Sequence, residues 1–177
     1  MGIFQEVIAL VLVAYVLSRR NLRFRNIGLQ WRLKDLGVGL FVAGISYAAY
    51  ALGSILVQSI HYGIYGTLAK SVGGKDFYSH PPITAIPFSI LNPFFEELIV
   101  RAYLMTEIME LTGSSALAIV VSVAVQFSYH LYYGWVAAIS LSFQFLIFAV
   151  YYARTRRILP VIVAHGLFDI YAIARLW

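Results

Sequence analysis

The chain of 177 residues contains no cysteine, which rules out disulfides and thiolate nucleophiles and is silent about redox compartment. Charge is scarce as well. Only 12% of the residues are charged and 61% are hydrophobic, whereas about a quarter of a soluble domain is charged. That balance excludes an ordinary soluble globule and predicts a chain built for lipid. No basic residue precedes the first apolar run, Gly2 to Leu17, and no small-residue cleavage site follows it. The run therefore reads as a retained first helix with its N-terminus outside, not as a signal peptide. Internal repeats, low-complexity tracts and linkers are also missing, so residues 1–177 read as one transmembrane domain.

A net charge of +5 could suggest nucleic acid, but the basic residues sit between apolar runs, the pattern of the positive-inside rule. The expected partner is the bilayer and not a nucleic acid. Crossing the hydrocarbon takes roughly 20 apolar residues per helix. Residues 2–17, 36–60, 83–105, 116–133, 136–152 and 159–176 meet or approach that length, the first being short. The fold expected is an all-α polytopic membrane protein, with about six transmembrane helices enclosing a polar cavity. Arg19, Arg20, Arg23, Arg25, Arg32 and Lys34 fall in loop 18–35, and Arg154, Arg156 and Arg157 in loop 153–158. Six spans place both loops on one side, predicted to be cytoplasmic, in a prokaryotic inner or plasma membrane. Residues 61–82 form the longest loop, outside, broken by Gly73-Gly74 and Pro81-Pro82. Tyr62, Tyr65, Tyr78, Trp135, Tyr151 and Tyr152 sit near predicted span ends, where amphipathic rings favour the interface.

Against that apolar ground, three polar islands stand out. Glu96, Glu97 and Arg101 lie in the third span, His130 closes the fourth, and His165 with Asp169 lies in the sixth. Ionisable groups at membrane depth cost several kcal/mol unless they face a polar interior, so by default they mark function. Glu97 and Arg101, four apart, share a helix face and can pair. Glu96 is turned about 100° away and left free to take a proton. Pro87 and Pro93 interrupt the span, and Asn92-Pro93 reads as an N-cap followed by proline in the first helical position. A helix starting there would bring both glutamates near its positive end.

The bland readings are a buried ion-pair network that fixes helix packing and interhelical hydrogen bonds that act as glue. Glu6, Gln144 and Arg175 read as snorkelling or bundle contacts, and Glu107 and Glu110 as solvated in a turn. His61 and His80 have no nameable partner. Gly37, Gly39, Gly44 and Gly53 read as close helix packing. Two further readings stay open. His130, His165 and a carboxylate could bind zinc, although the His-Glu-x-x-His signature is missing. A non-catalytic immunity scaffold or small transport protein could use the same islands.

The three islands in this order resemble the motifs of the CPBP family, the CAAX prenyl endopeptidases and bacteriocin-processing or immunity (Abi) proteins. Glu96-Glu97-x-x-x-Arg101, His130 and His165-x-x-x-Asp169 carry the resemblance over residues 92–169. Gln126 stands where the family usually has Phe, with Phe127 one residue late, and Asp169 where many members have Asn. The resemblance implies an intramembrane glutamic endopeptidase with its catalytic core at about 83–176, needing no cofactor and no metal. Glu96 and His130 would activate water, His165 and residue 169 would stabilise the oxyanion, and Glu97 and Arg101 would support them. The substrate implied is a membrane-tethered protein or peptide, such as a prenylated tail, a leader peptide or a C-terminal sorting helix. An ionised Asp169 would repel an oxyanion, so its expected part is to orient His165 and hold it as a cation.

Overall fold

The computed structural model describes residues 3–69 and 85–174, and every element among them is helical. Helix α1 spans Ile3–Arg19 and α2 spans Lys34–Tyr65, with a 3₁₀ turn at Phe24–Ile27 between them. Helix α3 (Ala85–Glu96) passes into a π-helical segment (Glu97–Tyr103) and then into α4 (Leu104–Thr112) without a loop. Helix α5 (Ser115–His130), a 3₁₀ turn (Leu131–Tyr133), α6 (Trp135–Thr155) and α7 (Leu159–Ala174) complete the order. Among the described residues, α2, α6 and α5 with its following turn are long and apolar enough to cross a membrane, and α7 is a shorter apolar helix. The protein is an all-helical polytopic membrane protein.

Several expected boundaries move. Within the third span no new helix begins at Asn92. Pro93 lies buried inside α3, and the irregularity the prolines announce is taken up by the π segment that follows. Nor does the span end at residue 105. The rod runs on to Thr112, so Glu107 and Glu110 are helical, and both face Arg20, with Glu110 3.4 Å away. Helix α2 continues one turn past residue 60 and stops at Gly66, whose φ of 69° is the left-handed conformation that closes a helix end. Residues 67–69 fold back on it, where the Gln58 side chain bonds both the N–H and the carbonyl of Ala69. Gly73-Gly74, Lys75, Asp76, Tyr78, His80 and Pro81-Pro82 lie outside the described residues, as does Arg175.

Packing separates the glycines. A β-carbon at Gly39 would come 2.7 Å from Val163 of α7, and one at Gly53 would run into the ring of Phe143 of α6. These two glycines let α2 approach its neighbours. Gly37 and Gly44 face open space instead, so their packing role falls away. Tyr152 is likewise no interface ring. It is fully buried, with its hydroxyl 3.0 Å from the Ile27 carbonyl, 3.1 Å from that of Ala102 and 2.9 Å from Thr106 Oγ1. By contrast Tyr62, Tyr65 and Trp135 are exposed, as expected.

The two basic loops meet at one end of the bundle. Arg157 pairs with buried Asp35, and the Ile158 N–H donates to the Gly28 carbonyl at 3.1 Å. Arg20 reaches the end of α4 at the same end. Loops 18–35 and 153–158 are therefore in direct contact.

Candidate active site

The π segment is built around the first polar island. In an α-helix each N–H bonds four residues back, whereas here the Leu104 N–H reaches the Ile99 carbonyl, five back. Such a stretch leaves carbonyls without their usual partners, and neighbours supply them. Ser122 of α5 donates to the Val100 carbonyl at 3.2 Å, and Tyr152 lies on that of Ala102. Single-turn π segments recur at functional sites because they re-aim side chains within an otherwise regular rod.

What they aim is a connected set of charges. Arg101 Nε lies 3.3 Å from Glu97 Oε2, both side chains fully buried. The guanidinium is flanked by Phe145 and Phe148, 5.5 and 5.8 Å from their ring centroids, a cation–π setting. The other Glu97 oxygen lies 2.7 Å from His165 Nδ1. On the far side of that ring, Nε2 is 3.6 Å from Asp169 Oδ1, while Asp169 Oδ2 accepts a 3.0 Å hydrogen bond from Asn92. Asn92 is thus a link in the site and not a helix cap.

Glu96 belongs to a second set. Its Oε2 accepts from the Tyr129 hydroxyl at 2.7 Å and from Gln126 Nε2 at 3.2 Å. Arg101 pairs with Glu97 and not with Glu96, but Glu96 is not free. Gln126, at the position where the family usually has Phe, is completely buried and binds it. His130 Nδ1 sits 2.8 Å from the Gln126 carbonyl, and its ring packs against Tyr129 and Phe145, both at 4.7 Å. Among the described residues no hydrogen bond joins His130 to Glu96; they are electrostatic neighbours held side by side through Gln126.

Glu97, Arg101 and His165 are buried, while Glu96, His130, Asn92 and Asp169 are half-buried. The buried trio forms a rigid base and the others form its accessible rim. Oxygen and nitrogen atoms of Glu96, Glu97 and His165 come within 4.8 Å of one another, close enough to surround a cation. The zinc set expected with His130 is not the one assembled. Both Glu97 oxygens are already turned to the Arg101 and His165 side chains, which compete with any metal for them.

Nothing in the sequence singles out Tyr129, and Gln126, Asn92 and Glu6 read there as something other than partners of the charged groups. A tyrosine beside a histidine at a span end looks interfacial, and an amide reads as helix glue. Glu6 is the sharpest departure. It is 0% exposed, and neither carboxylate oxygen has a hydrogen-bond partner among the described residues.

Fold and site together define a membrane-embedded helical protein with a carboxylate–imidazole centre. The family model for type II CAAX prenyl endopeptidase Rce1-like proteins matches residues 78–171, just over half of the 177. The chain belongs to that family, a family of membrane-associated endopeptidases. No curated protein and no solved structure matches it.

Proposed function

We propose that the protein is an intramembrane glutamic-type endopeptidase that cleaves a membrane-tethered protein or peptide, with Glu96 activating the water. The observation that carries this reading is the unequal treatment of adjacent glutamates. Glu97 is buried between Arg101 and His165, while Glu96 stands half-buried on the rim with two neutral donors. A carboxylate held by Tyr129 and Gln126 is oriented without being neutralised by a cation, which suits a general base.

In this reading Glu96, with His130 beside it, draws a proton from water as the oxygen adds to the scissile carbonyl. The electron pair displaced onto the carbonyl oxygen faces His165. His165 Nδ1 lies 2.7 Å from a Glu97 oxygen, while its Nε2 is 3.6 Å from Asp169 Oδ1, beyond hydrogen-bond distance, so an Nε2–H can turn to the oxyanion. Asp169 then supports that ring and does not itself meet the oxyanion. As the C–N bond breaks, Glu96 returns its proton to the leaving amine. The family's name points to a prenylated tail among the substrates considered, with leader peptides and C-terminal sorting helices as the other classes. Six spans with loops 18–35 and 153–158 in the cytoplasm complete the proposal.

Comparing protein termini in membranes that carry wild type or Glu96→Ala at matched expression tests it. New termini present only with wild type are expected, with the loss on mutation at least about 100-fold. Identical termini, with the variant folded and abundant, would sink proteolysis in favour of an immunity or scaffold role.

A further inference from the structure

Each helix that contributes to the site opens in the same direction. Along the third span, Arg101 and Glu97 are fully buried, while Glu96 and Asn92, nearer its start, are half-buried. On α5, Ser122 and Gln126 are fully buried, Tyr129 is exposed and His130 is half-buried. On α7 the step runs from buried His165 to half-buried Asp169. The end where the basic loops meet fixes the direction. The third span arrives there at Glu107, which meets Arg20, and α7 leaves it just after the Ile158–Gly28 bond. Helix α5 leaves it too, packing back along α4 after the turn at Gly113. At 1.5 Å per residue, Glu96 stands about 16 Å from Glu107 and His130 about 22 Å from Ser115. The site is closed toward the basic loops and open toward the far end.

At that far end a cavity of about 540 Å³ lies between α2 and the start of α6, within the range of about 300 to 1,000 Å³ typical of ligand sites. Ser54, Gln58 and His61 of α2 line it, with Tyr133, Trp135 and Ser140 opposite. Trp135 is about 30 Å along α6 from Thr155, at the basic end. Among the described residues, none lining the cavity is Asp, Glu, Lys or Arg, so a charged head group would find no counter-charge there. His61 Nδ1 is taken up by the Thr67 carbonyl at 2.8 Å, which leaves Nε2 as the neutral ring's acceptor. The Ser140 hydroxyl donates to the Val136 carbonyl and keeps its oxygen as an acceptor. Hydroxyls, an amide and an imidazole among aromatic faces suit an uncharged peptide, which offers donors and acceptors along its backbone. Tyr133 joins this cavity to the site, its ring centroid 6.0 Å from that of His130.

We propose that the cavity between α2 and α6 is the entry and subsite for an extended, uncharged stretch of substrate beside the scissile bond, reached from the face opposite the basic loops. The substrate class narrows accordingly. With those loops in the cytoplasm, the peptide cut is one displayed outside it, such as a leader peptide or sorting helix, and not a prenylated tail on the cytoplasmic side. The inference rests on the proteolytic reading above and deepens it.

The test uses the cysteine-free full chain carrying Ser54→Cys or Ala137→Cys in the cavity, with Thr155→Cys marking the basic end. A membrane-impermeant maleimide should label both cavity variants in intact cells, and Thr155→Cys only in inverted vesicles. The bulky adduct at either cavity position should remove the protein termini that depend on Glu96. The same adduct on Ile64→Cys, exposed at the same end and outside the cavity lining, should leave them. Those termini should map to segments on the outer side. Cavity variants that react only from the Thr155 side or not at all, cleavage that survives both cavity adducts, or termini on the cytoplasmic side would each overturn the proposal. Should all three variants label as expected while Glu96→Ala leaves every terminus unchanged, the outward opening stands and the proteolytic reading alone falls.

Discussion

The pair Glu96 and Glu97 shows how much one residue's surroundings decide. Chemically the two are identical and adjacent. One is locked between a guanidinium and an imidazole, the other held on a half-buried rim by an amide and a phenol. The i,i+4 spacing made the Glu97–Arg101 pair legible in the sequence. Its second tie, to His165, joins positions far apart in the chain and left no local trace. Asp169 offers a test at this scale. Its Oδ1 faces His165 and its Oδ2 accepts from Asn92. In Asp169→Asn the amide oxygen can still face His165 while Asn92 flips to present its own oxygen to the new amide N–H. Cleavage should therefore fall by less than about tenfold, whereas Asp169→Ala should cost about 100-fold, each tenfold corresponding to about 1.4 kcal/mol of barrier. A dead Asn variant with intact folding would show that the charge on Asp169, and not its placement of His165, is what matters.

Among the elements, the π segment and α2 carry the argument. Two prolines announced an irregular third span, but the place and kind of irregularity depended on neighbours. Ser122 and Tyr152 from other helices take up carbonyls at the π segment, which lets it persist where an isolated chain would relax to an α-helix. Glycines in α2 give the element-scale prediction. Gly53→Ala and Gly39→Ala should lower thermal stability by about 1 to 3 kcal/mol through overpacking against Phe143 and Val163. Gly37→Ala and Gly44→Ala, facing open space, should be neutral or stabilising by up to about 1 kcal/mol, since alanine favours a helix. Thermal unfolding of the four variants in one detergent would check the contrast, and equal losses at all four would break it. Sequence alone gave the four glycines equal weight, because which face of a long apolar helix meets a partner is not written in the helix itself.

For the whole molecule, the ties at one end set the topology. Arg157 with Asp35, Arg20 with Glu107 and Glu110, and Ile158 with Gly28 bring both basic loops together. The chain lacks cysteine, so single cysteines report position without background. Cysteines replacing Arg23 and Thr155 should react with a membrane-impermeant maleimide from the same side, and cysteines replacing Ile64 and Tyr132 from the opposite side. Labelling of positions 23 and 155 from different sides would refute the arrangement. The sequence by itself determined that the chain lives in lipid as a helical bundle, and that Glu96, Glu97, Arg101, His130, His165 and Asp169 are its costly polar groups. Composition and the price of charge in hydrocarbon act residue by residue, so they can be read without a fold. Only the tertiary structure decided which of these groups touch. It fastened His165 to Glu97, gave Glu96 its donors in Tyr129 and Gln126, drew Asn92 to Asp169, and turned Glu6 inward with no partner. Those contacts join helices distant in the chain, and they follow from how apolar faces and small residues pack, which no local stretch of sequence specifies.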